Sequence, residues 1–146
     1  MADMKQEFPS APDFGRSLKG VGINLLVPDV LKEVAFLKEV LGIACLTADK
    51  DFAVPSHEGQ VWMLHADATY HSNPLLALTG DGALRGAGLE VRLYNLDPET
   101  CEARAEAGGY EVLAPCKHKP HGLYECYLVS PAGYVYVPGV ASHELG

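Results

Sequence analysis

Eight residues near the start of the chain return in altered form 66 positions later: Gly20-Val21-Gly22-Ile23-Asn24-Leu25-Leu26-Val27 is answered by Gly86-Ala87-Gly88-Leu89-Glu90-Val91-Arg92-Leu93. Both copies read Gly, small or apolar, Gly, apolar, polar, apolar, variable, apolar. An internal period of this length signals one supersecondary unit used twice, which constrains the fold more than any local propensity. The alternation of apolar residues is that of a half-buried strand, and each copy runs on into a helix. Asp29 caps the first, where Val30, Val34, Leu37 and Leu41 recur at helical spacing until Gly42. Asp97 caps the second, which Pro98 opens and Gly108-Gly109 ends after Ala107.

Apolar runs bounded by Gly, Pro, Asn or Asp predict three more strands in each half. They fall at Ile43 to Thr47, Val61 to His65 and Pro74 to Leu78, then at Tyr110 to Leu113, Leu123 to Val129 and Tyr134 to Val137. The expected fold is therefore α+β: two βαβββ modules, residues 19–82 and 83–139, forming curved mixed sheets with a concave pocket. Residues 1–18, with two prolines and little periodicity, read as an arm that orders only against a partner, and 140–146 as a tail. Gly80-Asp81-Gly82 reads as a linker turn. A chain of 146 residues buries enough surface to fold without disulfides or a structural metal.

Strand parity divides the side chains between two faces. Ile23, Leu25, Val27, Trp62, Leu64, Leu89, Val91, Leu93, Cys126 and Leu128 face the helices, and their uniform apolarity sets the register, since a one-residue slip would exchange the faces. The concave face receives Gly22, Asn24, Leu26, Val61, Met63, His65, Leu75, Ala77, Gly88, Glu90, Arg92, Glu125, Tyr127, Val135 and Val137. On the last strand, Tyr134 and Tyr136 are the alternative inward pair.

Charge and cysteine usage narrow the partners. Nineteen acidic against eleven basic residues give a net charge of −8, which opposes attraction to nucleic acid or anionic lipid. No basic leader precedes an apolar run, and no stretch approaches the roughly 20 apolar residues of a membrane span, so the expected location is the cytoplasm. Cys45, Cys101, Cys116 and Cys126 form no C-x-x-C pair and read as reduced, mostly buried thiols. His118-Lys119-Pro120-His121 reads as a solvated turn, and His57, His65 and His71 as scattered histidines.

A paired βαβββ chain with the segments Leu25-Leu26-Val27-Pro28-Asp29, Val34 to Gly42, His121-Gly122-Leu123-Tyr124-Glu125 and Ser130-Pro131-Ala132-Gly133-Tyr134 resembles the vicinal oxygen chelate superfamily. That group includes glyoxalase I, extradiol dioxygenases, fosfomycin-resistance enzymes and bleomycin-resistance binding proteins. The resemblance implies metal ligands early in the first strand and on the last strand of each module. Carried over, these positions fall on Gly22, Gly88, near Ala77, and on Val137. None offers the carboxylate, imidazole or thiolate that a divalent metal needs, so the expectation is no metal and no cofactor. The resemblance further implies a homodimer, and the arm suits exchange between chains.

The polar residues left on the concave face carry the remaining functional signal. Asn24, Met63, His65, Glu90, Arg92, Tyr127 and Val137 are the expected ligand contacts. Glu90 and Arg92, two apart on one strand face, can pair with each other or with Glu125; the arrangement suits either a salt-bridged filling or an amphipathic small-molecule pocket. In the pocket reading Arg92 holds an anion or carbonyl oxygen, and Glu90 or Glu125 pairs with a cationic or hydroxyl group. Three functions remain open. The first is a metal-independent protein binding a hydrophobic or aromatic compound. The second is a cofactor-free isomerase or lyase with Glu90 or Glu125 as general base and Arg92 stabilising an enolate. The third is a metal-dependent glyoxalase or dioxygenase whose ligands lie elsewhere.

Overall fold

The structure, a computed structural model, describes residues 8–71, 73–80 and 83–142. A short helix α1 (Ala11–Ser17) precedes the first unit, which runs β1 (Asn24–Val27), α2 (Val30–Leu41), β2 (Ala44–Ala48), β3 (Phe52–His57), β4 (Gln60–Val61) and β5 (Met63–Ala66). A connector with 3-10 turns at Asp67–Thr69 and Pro74–Leu78 leads to β6 (Glu90–Tyr94), α3 (Pro98–Ala107), β7 (Glu111–His118), β8 (Leu123–Val129) and β9 (Val135–Ala141). The sheets are ordered β1-β5-β3-β2, with β4 paired to β3, and β6-β9-β8-β7. In each, the first strand lies parallel to the last, with Asn24 opposite Met63 and Glu90 opposite Val135. The other pairings are antiparallel, so both halves are mixed βαβββ sheets.

The helices form where their caps dictate. The Asp29 carboxylate accepts the Lys32 N–H at 3.1 Å, and Gly42 ends α2 in the left-handed region at φ 66°. Phe36, Leu37, Val40 and Leu41 of α2 pack with Leu25, Val27, Leu64, Leu93, Cys126 and Leu128 from both sheets, all fully or almost fully buried. Burying each of the large apolar side chains is worth about 1.5–3 kcal/mol. Tyr136 is completely buried with its ring centroid 5.8 Å from that of Phe36, so Tyr134 and Tyr136 belong to the core and Val135 and Val137 to the other face. Ile23 departs from the helix-facing set and is 45% exposed. The four cysteines are free thiols, and burial pushes Cys101 and Cys116 up to about 11.

Two segments differ from the sequence reading. Pro74–Leu78 is a 3-10 turn rather than a strand, because Pro74 opens it and the Asn73 side chain accepts the Leu75 N–H at 2.9 Å. The missing strand is β3, which proline at position 55 disguises; the β2–β3 register shifts between Cys45 and Ala48, opposite the stretch that contains Pro55. The described part of the arm also departs from expectation. Ser10 caps α1, and Phe14 is only 8% exposed, with its ring 6.3 Å from that of Phe52. Residues 1–7, most of the Gly80-Asp81-Gly82 turn and the last four tail residues lie outside the described residues. Among the described residues, no helix is long and apolar enough to cross a membrane.

The two units meet through a joint of polar groups inside the core. Glu33 of α2 is fully buried, and its Oε1 accepts the Ala132 N–H, 2.5 Å away in the β8–β9 turn. The Tyr134 hydroxyl donates to the Leu26 carbonyl at 2.8 Å, and Arg85 donates to the same carbonyl at 3.1 Å while pairing with Asp67. Burial pushes the Glu33 carboxyl up to about 7, against the hydrogen bonds from Ser130 and Ala132, which favour its charged form. Gly86 closes the joint from the connector: a Cβ there would stand 2.5 Å from the Gly133 carbonyl oxygen.

Candidate functional site

The concave faces of the two sheets receive the expected site residues in two separate groups. On the second sheet, strand alternation brings Glu90 and Arg92 of β6, Glu125 and Tyr127 of β8 and Val137 of β9 to one side. Arg92 lies between the two carboxylates, with Nη1 2.8 Å from Glu90 Oε1 and Nη2 2.6 Å from Glu125 Oε1. His121, from the turn after β7, places Nε2 2.7 Å from the same Glu125 oxygen. Glu125 is fully buried, and its Oε2 has no partner among the described residues. Glycine at 139, directly across from Glu125, makes room for it: a Cβ there would lie 3.2 Å from Glu125 Cβ.

These charges stand at the side of a groove of about 720 Å³ lined by Leu84, Gly86, Ala87, Gly88, Leu89, Glu90, Arg92, Leu113, Tyr127, Gly133 and Val135. A second groove, of about 510 Å³, adjoins it on the other side of β6, between that strand and the β3–β4 hairpin, and includes Trp62, Tyr94 and His57. Hydrogen bonds to Tyr127 and Arg92 hold the Glu90 carboxyl below its ordinary range. Burial works against the Arg92 charge, but its bonds to Glu90 and Glu125 outweigh it and raise the guanidinium further. The Tyr127 phenol is raised by the neighbouring Glu90 carboxylate and by burial. Glu90 and Arg92 are therefore ionised and Tyr127 neutral at physiological pH. Lys119 lies near the Tyr127 ring, its Nζ 5.6 Å from the centroid.

The first sheet treats its polar residues differently. His65 faces the Asn24 amide oxygen through Nδ1, and the Asn24 amide donates to the Tyr70 hydroxyl. The His65 ring centroid lies 4.7 Å from that of Phe52 and 5.7 Å from that of Tyr70, while Phe14 of α1 packs against Phe52 and Phe8 against Phe14. Burial holds His65 below the ordinary histidine range, which favours a neutral ring whose Nδ1–H meets Asn24. Met63 lines a small cleft beneath Phe14 and Leu18. Leu75 and Ala77, expected on this face, lie off the sheet in the 3-10 turn.

The path of the chain and the pairing of its strands decide what the fold is similar to. No protein-family profile and no curated protein sequence matches the chain. Solved structures do. A glyoxalase-related enzyme from Fulvimarina pelagi superposes with a TM-score of 0.65 over 84% of this chain and 88% of its own, at 18% identity. A glyoxalase/bleomycin resistance protein/dioxygenase family enzyme from Burkholderia phytofirmans superposes with a TM-score of 0.66 over 82% of this chain and 95% of its own, at 14% identity. The fold is that of the vicinal oxygen chelate superfamily.

Within the vicinal oxygen chelate fold, the strand register corrects one ligand position. The last strand of the first unit is β5, not the segment around Ala77, and Leu26 pairs with His65 where Arg92 pairs with Val137. The position equivalent to Val137 is therefore His65. The four positions then carry Gly22, His65, Gly88 and Val137, a single imidazole whose Nδ1 already faces Asn24. That donor set does not fit a divalent metal.

Sequence reasoning missed Leu84, Leu113 and His121. Leu113 lies in a strand twice as long as expected, and Leu84 belongs to the connector between the repeats. His121 stood out in the sequence within His118-Lys119-Pro120-His121, read as a solvated turn; its spacing of four from Glu125 becomes meaningful once the turn after β7 folds back over β8.

Proposed function

We propose that the concave face of the second unit binds a small molecule with an apolar or aromatic body, without a metal, in a cytoplasmic homodimer. The observation that carries this reading is the fixed Glu90–Arg92–Glu125 set beside a groove of about 720 Å³ whose other walls are mainly Leu84, Leu89, Leu113, Tyr127 and Val135. Apolar walls with a few orienting polar groups are the usual anatomy of a ligand site. The low Glu90 carboxyl makes that residue a weak base, which favours binding over proton abstraction. Exposed apolar side chains such as Val21, Leu84 and Leu113 support association of two chains.

Nile red, a neutral apolar dye, tests the groove. Saturable binding with enhanced fluorescence is expected in the wild type, with affinity reduced about ten-fold or more by Tyr127→Ala and by Leu113→Asp. Binding that is absent, or unchanged in both variants, overturns the proposal. Sedimentation at increasing protein concentration tests the dimer.

A further inference from the structure

We infer that the ligand of this groove presents a hydrogen-bond-donating head, a protonated amine best of all, and that the groove rejects carboxylates of the same shape. The inference rests on the binding role proposed above and adds the chemistry of the ligand. Among the described residues, two charged side chains line the groove, Glu90 and Arg92. Arg92 already faces two carboxyl groups: one terminal nitrogen donates to Glu90 and the other to Glu125. An incoming anion could accept only from the remaining N–H groups and would be a third acidic group around one guanidinium, repelled by the two already there. Glu125 is fully buried and packed, so it has no room to move aside.

Glu90 has the opposite availability. Its side chain is 40% exposed, and beside the hydrogen bonds from Arg92 to Oε1 and from Tyr127 the carboxylate keeps further acceptor capacity toward the groove. Two carboxyl groups, Glu90 and Glu125, face the single guanidinium of Arg92, and His121 lies beside Glu125. Lys119 is the other nearby cation, but it stands over the Tyr127 ring and does not line the groove. Leu113, Leu84 and Val135 supply the surface for an apolar body, and the Tyr127 ring a face on which an aromatic group stacks.

Three probes of one shape separate the possibilities: 2-naphthylmethylamine, 2-naphthylmethanol and 2-naphthoate, measured by calorimetry at pH 7 on the full chain. The amine is expected to bind most tightly, the alcohol next, and the carboxylate about ten-fold or more weaker than the amine. Glu90→Gln, at a largely solvated position, is expected to bring the amine to within about two-fold of the alcohol, while Lys119→Gln leaves the order unchanged. Equal or tighter binding of the carboxylate overturns the inference, as does an amine preference that survives Glu90→Gln. If Nile red binds with the expected variant losses and the three probes bind alike, the head-group assignment falls and the binding role stands. If neither Nile red nor any probe binds, the binding role itself falls.

Discussion

The two concave faces share a strand order and a register yet carry opposite chemistry. Asn24 and Leu26 on the first occupy the places of Glu90 and Arg92 on the second, and Met63 and His65 those of Val135 and Val137. On the first face, α1 lays Phe14 against Phe52, which in turn packs on His65, and the polar atoms close on one another through Asn24 and Tyr70. On the second, no such helix intervenes among the described residues, and a charged set stands at the edge of an open groove. The βαβββ frame thus determines where side chains point. Whether a face becomes a filled core or an open site depends on the residues at a few equivalent positions and on what the chain sends across them.

Making the second face resemble the first is the most disruptive test of that contrast. Arg92→Met alone is expected to lower unfolding stability in urea by about 3 kcal/mol, because it takes the guanidinium from the buried Glu125 carboxyl and leaves it with His121. Adding Glu125→Leu is expected to recover most of the loss. If the single variant is as stable as the wild type, the charged set is not what holds the second face.

The joint that ties the faces together gives the next effect. The Glu33 carboxyl is raised from an ordinary 4.5 to about 7, so between those values the folded chain holds a proton that the unfolded chain releases. Stability is therefore complete below the unfolded value and is expected to fall by about 3 kcal/mol as pH rises through 7. Urea titrations from pH 4.5 to 8 check this slope, and Glu33→Gln should remove it.

Uncovering the first face comes third. Phe14→Ala is expected to cost about 2 kcal/mol, less than a Phe truncation in a central core because α1 packs at the margin of the fold. It should also speed proteolysis between residues 8 and 18, and resistance equal to wild type would contradict the seal. The smallest effect falls on the polar chain beneath it. Tyr70→Phe removes the acceptor for the Asn24 amide and is expected to cost about 1 kcal/mol. His65 is held low by burial, so it opposes folding as pH falls below about 6.5, and this acid-side loss should diminish in His65→Gln.

The repeat was legible because the Gly-flanked alternating strand and the capped helix that follows are both local patterns. Parity then placed Glu90, Arg92, Glu125 and Tyr127 on one face correctly. The division of the site residues between two faces was not legible, because nothing local reveals that α1 crosses the first sheet. Pro55 concealed β3 because a proline normally argues against an interior strand. Glu33 did leave a trace: with Val30 and Leu37 it falls on the apolar stripe of α2, where a carboxylate is out of pattern. Its partner in the β8–β9 turn is 99 positions distant and left no local sign.

The seal made by α1 also separates two kinds of boundary. Periodicity places the start of the duplicated unit near residue 19, but the cooperative unit begins upstream, because Phe14 reaches Phe52 across the sheet. A chain cut where the repeat begins would bare the ring of Phe52 and the slot beside His65 on a surface able to associate with another molecule. The edges of a sequence repeat can therefore lie inside a folding unit, and truncation at such an edge would turn a buried seam into an adhesive one.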